Sequence, residues 1–358
     1  MKVIIFAGGA GTRLWPLSRK KLPKQFKKIF EGKSTLQLAV ERIEKTFGIH
    51  NIFISTNDNY IPLVKEQIPQ IPTSNMVGEP AKRNLAAAIG YNFILLRKKG
   101  YQGSVAILWA DHLMKNVPSF LEVLKKGEAL INENPNRFIL IGEKPRYPEN
   151  NLGWIHLGDK RSDNSYEFIE WIYRPSVKKC LEIFESGEWV WNPGYFVVDL
   201  NYVLRLYEEL MPKMYKSLVE ISKSVGTVEE NKVLGNIYPT LKSVSFDKAI
   251  LEKLPPERAV VLKTNMGWAD PGTLYALKEA LVGSSGKNLS RGITYERNTK
   301  DSVVINEEKN KLLATIGLEN MIVVNTEDAL LVVHKDDVTH ISALIEELEK
   351  DKSLRRFV

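Results

Sequence analysis

Residues Gly8 to Phe26 read GGAGTRLWPLSRKKLPKQF and come directly after the apolar run VIIFA at 3–7. A strand that ends in glycines can turn several backbone N–H groups towards a phosphate. Gly8, Gly9 and Gly11 stand where a side chain would block close approach or forbid a positive φ. Two familiar phosphate loops do not fit. In the dinucleotide fingerprint the third glycine would fall at Leu14, and no Gly-Lys-Ser/Thr closes the loop as a P-loop requires. By themselves the glycines also fit a tight strand-to-loop turn. The residues after them add weight: Thr12 brings a hydroxyl, and Arg13 a planar cation able to bridge two phosphate oxygens. Pro16 and Pro23 stiffen the stretch, so that Lys24 loses less entropy when it is positioned. Two cations at opposite ends of a stiff loop suit a polyphosphate chain.

Outward from this stretch, apolar strand-like runs alternate with helical stripes. Leu36, Val40, Ile43 and Phe47 have helical spacing, as do Leu85, Ile89, Phe93 and Leu96. NIFIS (51–55), VAILWA (105–110) and RFILIG (137–142) are continuous apolar runs. This alternation predicts an α/β fold, a Rossmann-like and mostly parallel mixed sheet flanked by helices, to about residue 145. NLGWIHLG, YEFIEWIYRP and WVWNPGYFVVDL read as strands and loops laid over the sheet's edge. A helical segment is expected over 201–225. The Gly/Ser-rich LVGSSGKNLSRG (281–292) marks a boundary, giving domains 1–283 and 284–358. Beyond it, short apolar pairs and triples about nine residues apart suggest small stacked β coils without a strict repeat. A final helix is expected with Val338, Ile341, Ile345 and Leu348 on one face, capped by Asp336 or Asp337.

The stretch GGAGTRLWPLSRKKLPKQF resembles the signature of sugar-phosphate nucleotidyltransferases, and its RLWPLSR…PKQF wording is the form found in mannose-1-phosphate guanylyltransferases. GEPAKRNLAAAIG (78–90) is similar to that family's Glu-Pro-x-x-Arg-Asn segment, which approaches the base, so the resemblance implies nucleotide contacts at Glu79, Pro80 and Asn84. There is a chemical reason for a carboxylate here. Guanine presents two adjacent donors, N1–H and the N2 amino group, and a carboxylate accepts both. A wrong base leaves buried polar groups unpaired. Read without the resemblance, Glu79 is an exposed loop acid and Asn84 the cap of the following helix. VAILWADHLM (105–114) ends in Asp111 and His112, and GWADPGT (267–273) carries Asp270. The resemblance makes Asp111 and Asp270 a pair of Mg²⁺ ligands, and hard oxygen donors with nucleotide phosphates suit that ion. Gly153 in NLGWI, and Asn192 and Gly194 in WNPGYF, resemble the family's sugar-binding segments. The family's Glu-Lys-Pro between them reads EWIYRP here. Either Arg174 replaces the lysine, or Glu170 keeps the acid's role beside a local insertion. The last ~70 residues resemble the short left-handed β-helix appended to many members.

The resemblance therefore implies that GTP and mannose 1-phosphate give GDP-mannose and pyrophosphate. In that reaction Arg13 grips the β- and γ-phosphates, and Lys24 lies between the α-phosphate and the sugar phosphate. A regulatory relative that senses GDP-mannose, and a transferase for another sugar or base, are the rivals; a sensor should have lost one of Arg13, Lys24, Asp111 or Asp270, and all are present. The 358 residues carry 50 Lys and Arg against 43 Asp and Glu, a net +7 spread along the chain with no nucleic-acid motif. No apolar run approaches the ~20 residues of a membrane span. Met1-Lys2 leads straight into a strand-like run, so no signal peptide is expected. With one cysteine, Cys180, no intrachain disulfide can form, and a cytoplasmic setting is expected. The coil domain's short edges could pack on a second subunit, as in a homodimer, or on the chain's own catalytic domain.

Overall fold

The structure is a computed structural model that describes residues 1–9, 11–283 and 286–358. Ser284 and Ser285, on which the expected domain boundary falls, lie outside the described residues, as does Ala10 in the glycine loop. The chain forms two compact units. One comprises Met1–Gly8, Val40–Trp109 and Met114–Trp268, the other Gly9–Ala39, Ala110–Leu113 and Ala269–Val358. Among the described residues no helix is long and apolar enough to cross a membrane.

The first unit is built on a nine-stranded sheet. Its strands are β1 (Lys2–Phe6), β2 (Ile52–Asn57), β3 (Met76–Glu79), β4 (Ser104–Trp109), β5 (Phe138–Glu143), β6 (Gly153–Ser162), β7 (Ser165–Tyr173), β8 (Trp189–Asp199) and β9 (Ala259–Thr264). The spatial order is β3-β2-β1-β4-β8-β5-β9-β7-β6. Pairing is parallel from β3 to β4 and between β5 and β9, and antiparallel elsewhere. The parallel strands are continuous apolar runs because both faces are covered. Helix Asn84–Lys98 packs on helices Leu200–Leu210 and Pro212–Ser224, so its expected one-sided stripe becomes burial nearly all round. Pro212 divides the helical segment expected over 201–225 into those two helices.

One expectation is corrected. Of the three segments expected there, only the β6–β7 hairpin ends the strand order, and its β6 folds back to pair with the first residues of β8. WVWNPGYFVVDL forms β8 and runs through the middle, antiparallel to both β4 and β5. Asn192-Pro193-Gly194 reads as a turn but is an irregularity inside this strand, where the register with β5 shifts between Ile141 and Glu143. Proline lacks the ladder's donor, so a central strand tolerates it only at such a point.

The second unit stacks parallel strands Leu289–Arg291, Val303–Asn306 and Met321–Asn325, with Leu330–His334 antiparallel at one end. Thr294–Arg297 and Leu313–Ile316 form a second parallel pair. Asn306 and Asn325 are in register, and Asn325 Nδ2 donates to Asn306 Oδ1 at 2.8 Å, so coil corners stack through amides as well as backbone. Inside, Val303, Ile305, Ile322 and Val324 share one apolar cluster with Leu14, Trp15, Leu17 and Ile29 of the N-terminal stretch. Trp15 Nε1 also donates to the carbonyl of Phe357 at 2.7 Å, and Arg19 pairs with Asp328 at 2.5 Å. The C-terminal helix Ile341–Lys350 buries Ile341 and Ile345 as expected. Its expected cap is corrected: Asp336 and Asp337 belong to a preceding 3-10 turn, Lys335–His340, and no side chain caps the helix.

Helix Leu274–Val282 is joined to the coils by charge. The fully buried Lys278 pairs with Asp301, which also accepts from Tyr275 Oη at 2.7 Å and Lys335 Nζ at 3.1 Å. Burial opposes ionisation of Asp301, but the donors outweigh it and hold the carboxyl at about 2. A depressed carboxylate stabilises the fold above its unfolded pKa of ~3.9, and that contribution is lost as pH falls towards the folded value. Asp301→Asn should therefore cost about 3 kcal/mol at pH 7, the scale for breaking a buried ion pair. The difference from the parent should shrink between about pH 4 and 2. Urea unfolding at neutral and acid pH measures both, and equal stability at pH 7 would refute the assignment.

Candidate functional site

In the second unit the loop after Gly9 folds back on itself. Gly11 has φ 60°, and a Cβ there would lie 2.6 Å from the backbone nitrogen of Lys24. Only glycine permits both the left-handed conformation and that approach. Ser18 Oγ donates to Gly11 O at 2.5 Å, and Gln25 Nε2 to Gly9 O at 3.1 Å. Two 3-10 turns, Thr12–Leu14 and Lys24–Phe26, carry the functional side chains, and the Trp15–Pro16 peptide between them is cis. Gly8 and Gly9 are exposed, and a Cβ on either would meet nothing, so their backbones face open space. Arg13 is exposed as well.

The fold-back brings Lys24 to the two acids. Its Nζ lies 2.7 Å from Asp111 Oδ2 and 3.5 Å from Asp270 Oδ1. Asp111 follows β4 in sequence, and Asp270 precedes helix Leu274–Val282, whose N-cap Thr273 accepts from Ala276 N at 3.1 Å. A methyl group at Gly272 would sit 3.5 Å from both Asp270 oxygens and 3.6 Å from Arg13 Nη1, so arginine and acid share one neighbourhood. Burial penalises the Lys24 ammonium, but Asp111 and Asp270 outweigh that penalty and raise its pKa. Burial would also raise Asp111; Lys24 and His112, whose Nε2 is 3.9 Å away, instead hold it at about 2. Asp270 Oδ1 is buried without a hydrogen bond among the described residues. Two carboxylates converging on one cation, with the Asp270 oxygen nearest Lys24 buried and not hydrogen-bonded among the described residues, form a donor set that suits a hard divalent ion.

The first unit holds the remaining predicted residues. Glu79 ends β3 and is partly buried. Tyr238 Oη donates to its Oε2 at 2.7 Å and Ser55 Oγ to its Oε1 at 3.3 Å. Burial raises Glu79 to about 7, against the pull of those two donors. Pro80 is partly buried beside it in sequence, and Asn84 is exposed. Asn84 opens the following helix with φ 63° and accepts from Leu85 N at 2.8 Å, so it is a first helical residue rather than the expected cap. Arg83 Nε is buried with no hydrogen bond among the described residues.

Gly153 and Asn192 are directly opposed across β6 and β8. Asn192 Oδ1 accepts from Gly194 N at 2.9 Å. Gly194 has φ 74°, and a Cβ there would press on Trp109 Nε1 at 2.8 Å. Arg174 follows β7 with φ 52°, donates its N–H to Leu152 O and lies over the ring of Tyr173. Glu170 does not join this group. It lies 3.7 Å from His156 Nδ1, and His156, three residues on from Gly153 along β6, faces the opposite side of the sheet.

Several structural partners went unnoticed in the sequence. Tyr238 and Ser55 are bound to Glu79 across long sequence separations, so no local pattern marks them. Glu143 could have been found: it closes the apolar run FILIG with a charge. It is fully buried and accepts from Met266 N at 2.8 Å, Trp268 N at 3.1 Å and Arg146 Nη1 at 2.8 Å.

Two family descriptions match the chain: nucleotidyl transferase over residues 2–285, and a mannoseP isomerase/GMP-like beta-helix domain over 297–348. A mannose-1-phosphate guanylyltransferase of Escherichia coli is 28% identical over 98% of this chain and 74% of its own length. A putative mannose-1-phosphate guanylyltransferase of Vibrio cholerae is 29% identical over 97% and 74%. The crystal structure of a protein described as mannose-1-phosphate geranyltransferase from Thermus thermophilus superposes with a TM-score of 0.85 at 26% identity, covering 97% of this chain and 99% of that one.

The electrostatics of the acid pair can be tested alone. Lys24→Met should raise Asp111 from about 2 towards the ordinary carboxylate range, since burial would then be opposed only by His112 and a backbone hydrogen bond. Side-chain carboxyl NMR over an acid titration reads this directly. An Asp111 still titrating near 2 would remove Lys24 as the cause.

Proposed function

Because the chain belongs to the nucleotidyl transferase family, we propose that it transfers GMP from GTP to α-D-mannose 1-phosphate, giving GDP-mannose and pyrophosphate. The observation that carries this reading is the convergence of Asp111 and Asp270 on Lys24, with Arg13 beside Asp270. The names of the relatives support mannose 1-phosphate and a guanine nucleotide, and the Glu79 carboxyl supplies a chemical basis for choosing guanine.

An oxygen of the sugar phosphate forms a bond to the α-phosphorus of GTP. The bond from that phosphorus to the oxygen bridging to the β-phosphorus breaks, and pyrophosphate leaves with the electron pair. The nucleophile is already an anion, so no protein base or covalent intermediate is required. The obstacle is that two anions must meet while charge builds on the leaving group. Positioning and charge neutralisation supply the rate. Arg13 binds the β- and γ-phosphates in bidentate fashion. The glycine backbones of the loop orient the triphosphate. Lys24 neutralises charge between the α-phosphate and the incoming phosphate. Asp111 and Asp270 would hold Mg²⁺, which supplies further neutralisation of phosphate charge when bound. Asn192 both donates to and accepts from sugar hydroxyls through its amide, with Gly153 and Gly194 leaving room, and Arg174 is the candidate for the sugar phosphate.

Pyrophosphate release should be greatest for GTP with mannose 1-phosphate in a matrix of nucleotides against sugar 1-phosphates. Asp111→Asn and Asp270→Asn should each lower kcat by roughly 10²-fold or more with the fold intact. A maximum elsewhere in the matrix would replace the substrate assignment. Near-normal Mg²⁺-dependent turnover in both variants would remove the acids from the site.

A further inference from the structure

The Glu79 carboxyl is gripped at both oxygens from elements distant in sequence. Tyr238 is fully buried in the 3-10 turn Tyr238–Thr240, edge-on to the ring of Tyr91 at 5.4 Å. Its hydroxyl spends its donor on Glu79 Oε2 at 2.7 Å. Ser55 Oγ donates to Oε1, and itself accepts from Asn92 Nδ2 at 2.8 Å. Asn92 is fixed in turn by donating to Ala88 O at 2.9 Å, and Asn57 Nδ2 holds the backbone carbonyl of Glu79 at 3.1 Å. The chain Asn92–Ser55–Glu79–Tyr238 thus has a fixed donor direction that ends on the carboxyl from both sides.

An ionised carboxylate has about four lone-pair positions, two on each oxygen. Here the protein uses one on each. One per oxygen remains, so the group offers two adjacent acceptors, the number that the N1–H and N2 amino donors of guanine require. We propose that Tyr238 is a specificity-determining positioning residue, which orients the Glu79 carboxyl and leaves it these two acceptors for a guanine base. The proposal rests on the reading of Glu79 as the group that selects the base.

The surroundings otherwise work against such an acceptor. Burial favours the neutral acid, and Asp58 adds like charge. Tyr91, which packs on Tyr238, is itself neutral and senses both Asp58 and Glu230. None of these groups brings a positive charge, so the hydrogen bonds from Tyr238 and Ser55 are what favour the ionised form. A protonated Glu79 would replace one acceptor with a donor and leave one guanine donor unpaired.

Tyr238→Phe removes one oxygen and keeps the ring. Steady-state rates with mannose 1-phosphate are compared for GTP, for ITP, which lacks the 2-amino group, and for ATP, from about pH 6 to 8.5. In the variant kcat/KM for GTP should fall about tenfold near pH 7, mainly through KM, the scale for losing a hydrogen bond to a charged group. The GTP-over-ITP ratio should shrink, and the acid limb of the GTP profile should move to higher pH. Glu79→Gln is measured alongside. If it lowers the GTP-over-ITP ratio while Tyr238→Phe changes neither that ratio nor the acid limb, the role of Tyr238 is overturned and the base reader stands. If Glu79→Gln itself leaves the ratio unchanged, the base reading fails. An equal loss for all three nucleotides in Tyr238→Phe would make the tyrosine structural only and would also overturn the proposal.

Discussion

Everything chemical in this chain depends on one electrostatic constraint: Lys24 must stand between Asp111 and Asp270. Burial works against both charges: Lys24 holds the Asp111 carboxyl low, and Asp111 and Asp270 together raise the lysine. A lysine ammonium is usually mobile at the end of a long stem. Here two carboxylates hold it in place, so less of its side-chain entropy remains to be lost. The same constraint explains the backbone: a loop has to double back to bring residue 24 against residue 11, and the glycine at 11 removes the side chain that would stand in the way.

The second unit supplies rigidity to that loop. Leu14, Trp15, Leu17 and Ile29 are buried among residues of the coils. Arg19 pairs with Asp328, Lys27 with Glu307, and Arg291 donates to the carbonyls of Lys28 and Ile29. Ion pairs open in part to water are individually worth little, about 0–1 kcal/mol. The apolar contacts are the larger contribution, at about 1.5–3 kcal/mol for each side chain fully buried. The loop is thus better described as one wall of the coil unit than as an appendage of the sheet, which matches the division of the chain into compact units.

Much of this was legible from residue patterns because the patterns report periodicity and local chemistry. Strands β1, β2, β4 and β5 are apolar runs with no competing reading, and Leu36, Val40, Ile43 and Phe47 stripe the first helix, whereas helix Asn84–Lys98 is buried nearly all round. The stretch from Gly8 to Phe26 announces its cations and stiffening prolines directly. The illegible parts share a different cause. Asn192-Pro193-Gly194 has the composition of a turn, yet the strand continues through it: the residues before it pair with β6 and those after it with β4. The side of the sheet taken by Glu170 depends on an irregular register in the β6–β7 hairpin, which no alternation of residue types encodes. Tyr238 meets Glu79 only after the chain has folded across 159 positions.

The order in which the loop and its partners are made has a consequence for biosynthesis. Leu14, Trp15 and Leu17 leave the ribosome long before Val303, Ile305, Ile322 and Val324, which bury them. Until those coils are made the earlier side chains lack their native cover, a condition that favours association between nascent chains and engagement by chaperones. The contact is non-local, so the cationic hairpin gains this cover only after a long loop has closed. A chain cut before the coils would retain the strands of the sheet and yet lack the surface on which Leu14, Trp15, Leu17 and Ile29 are buried.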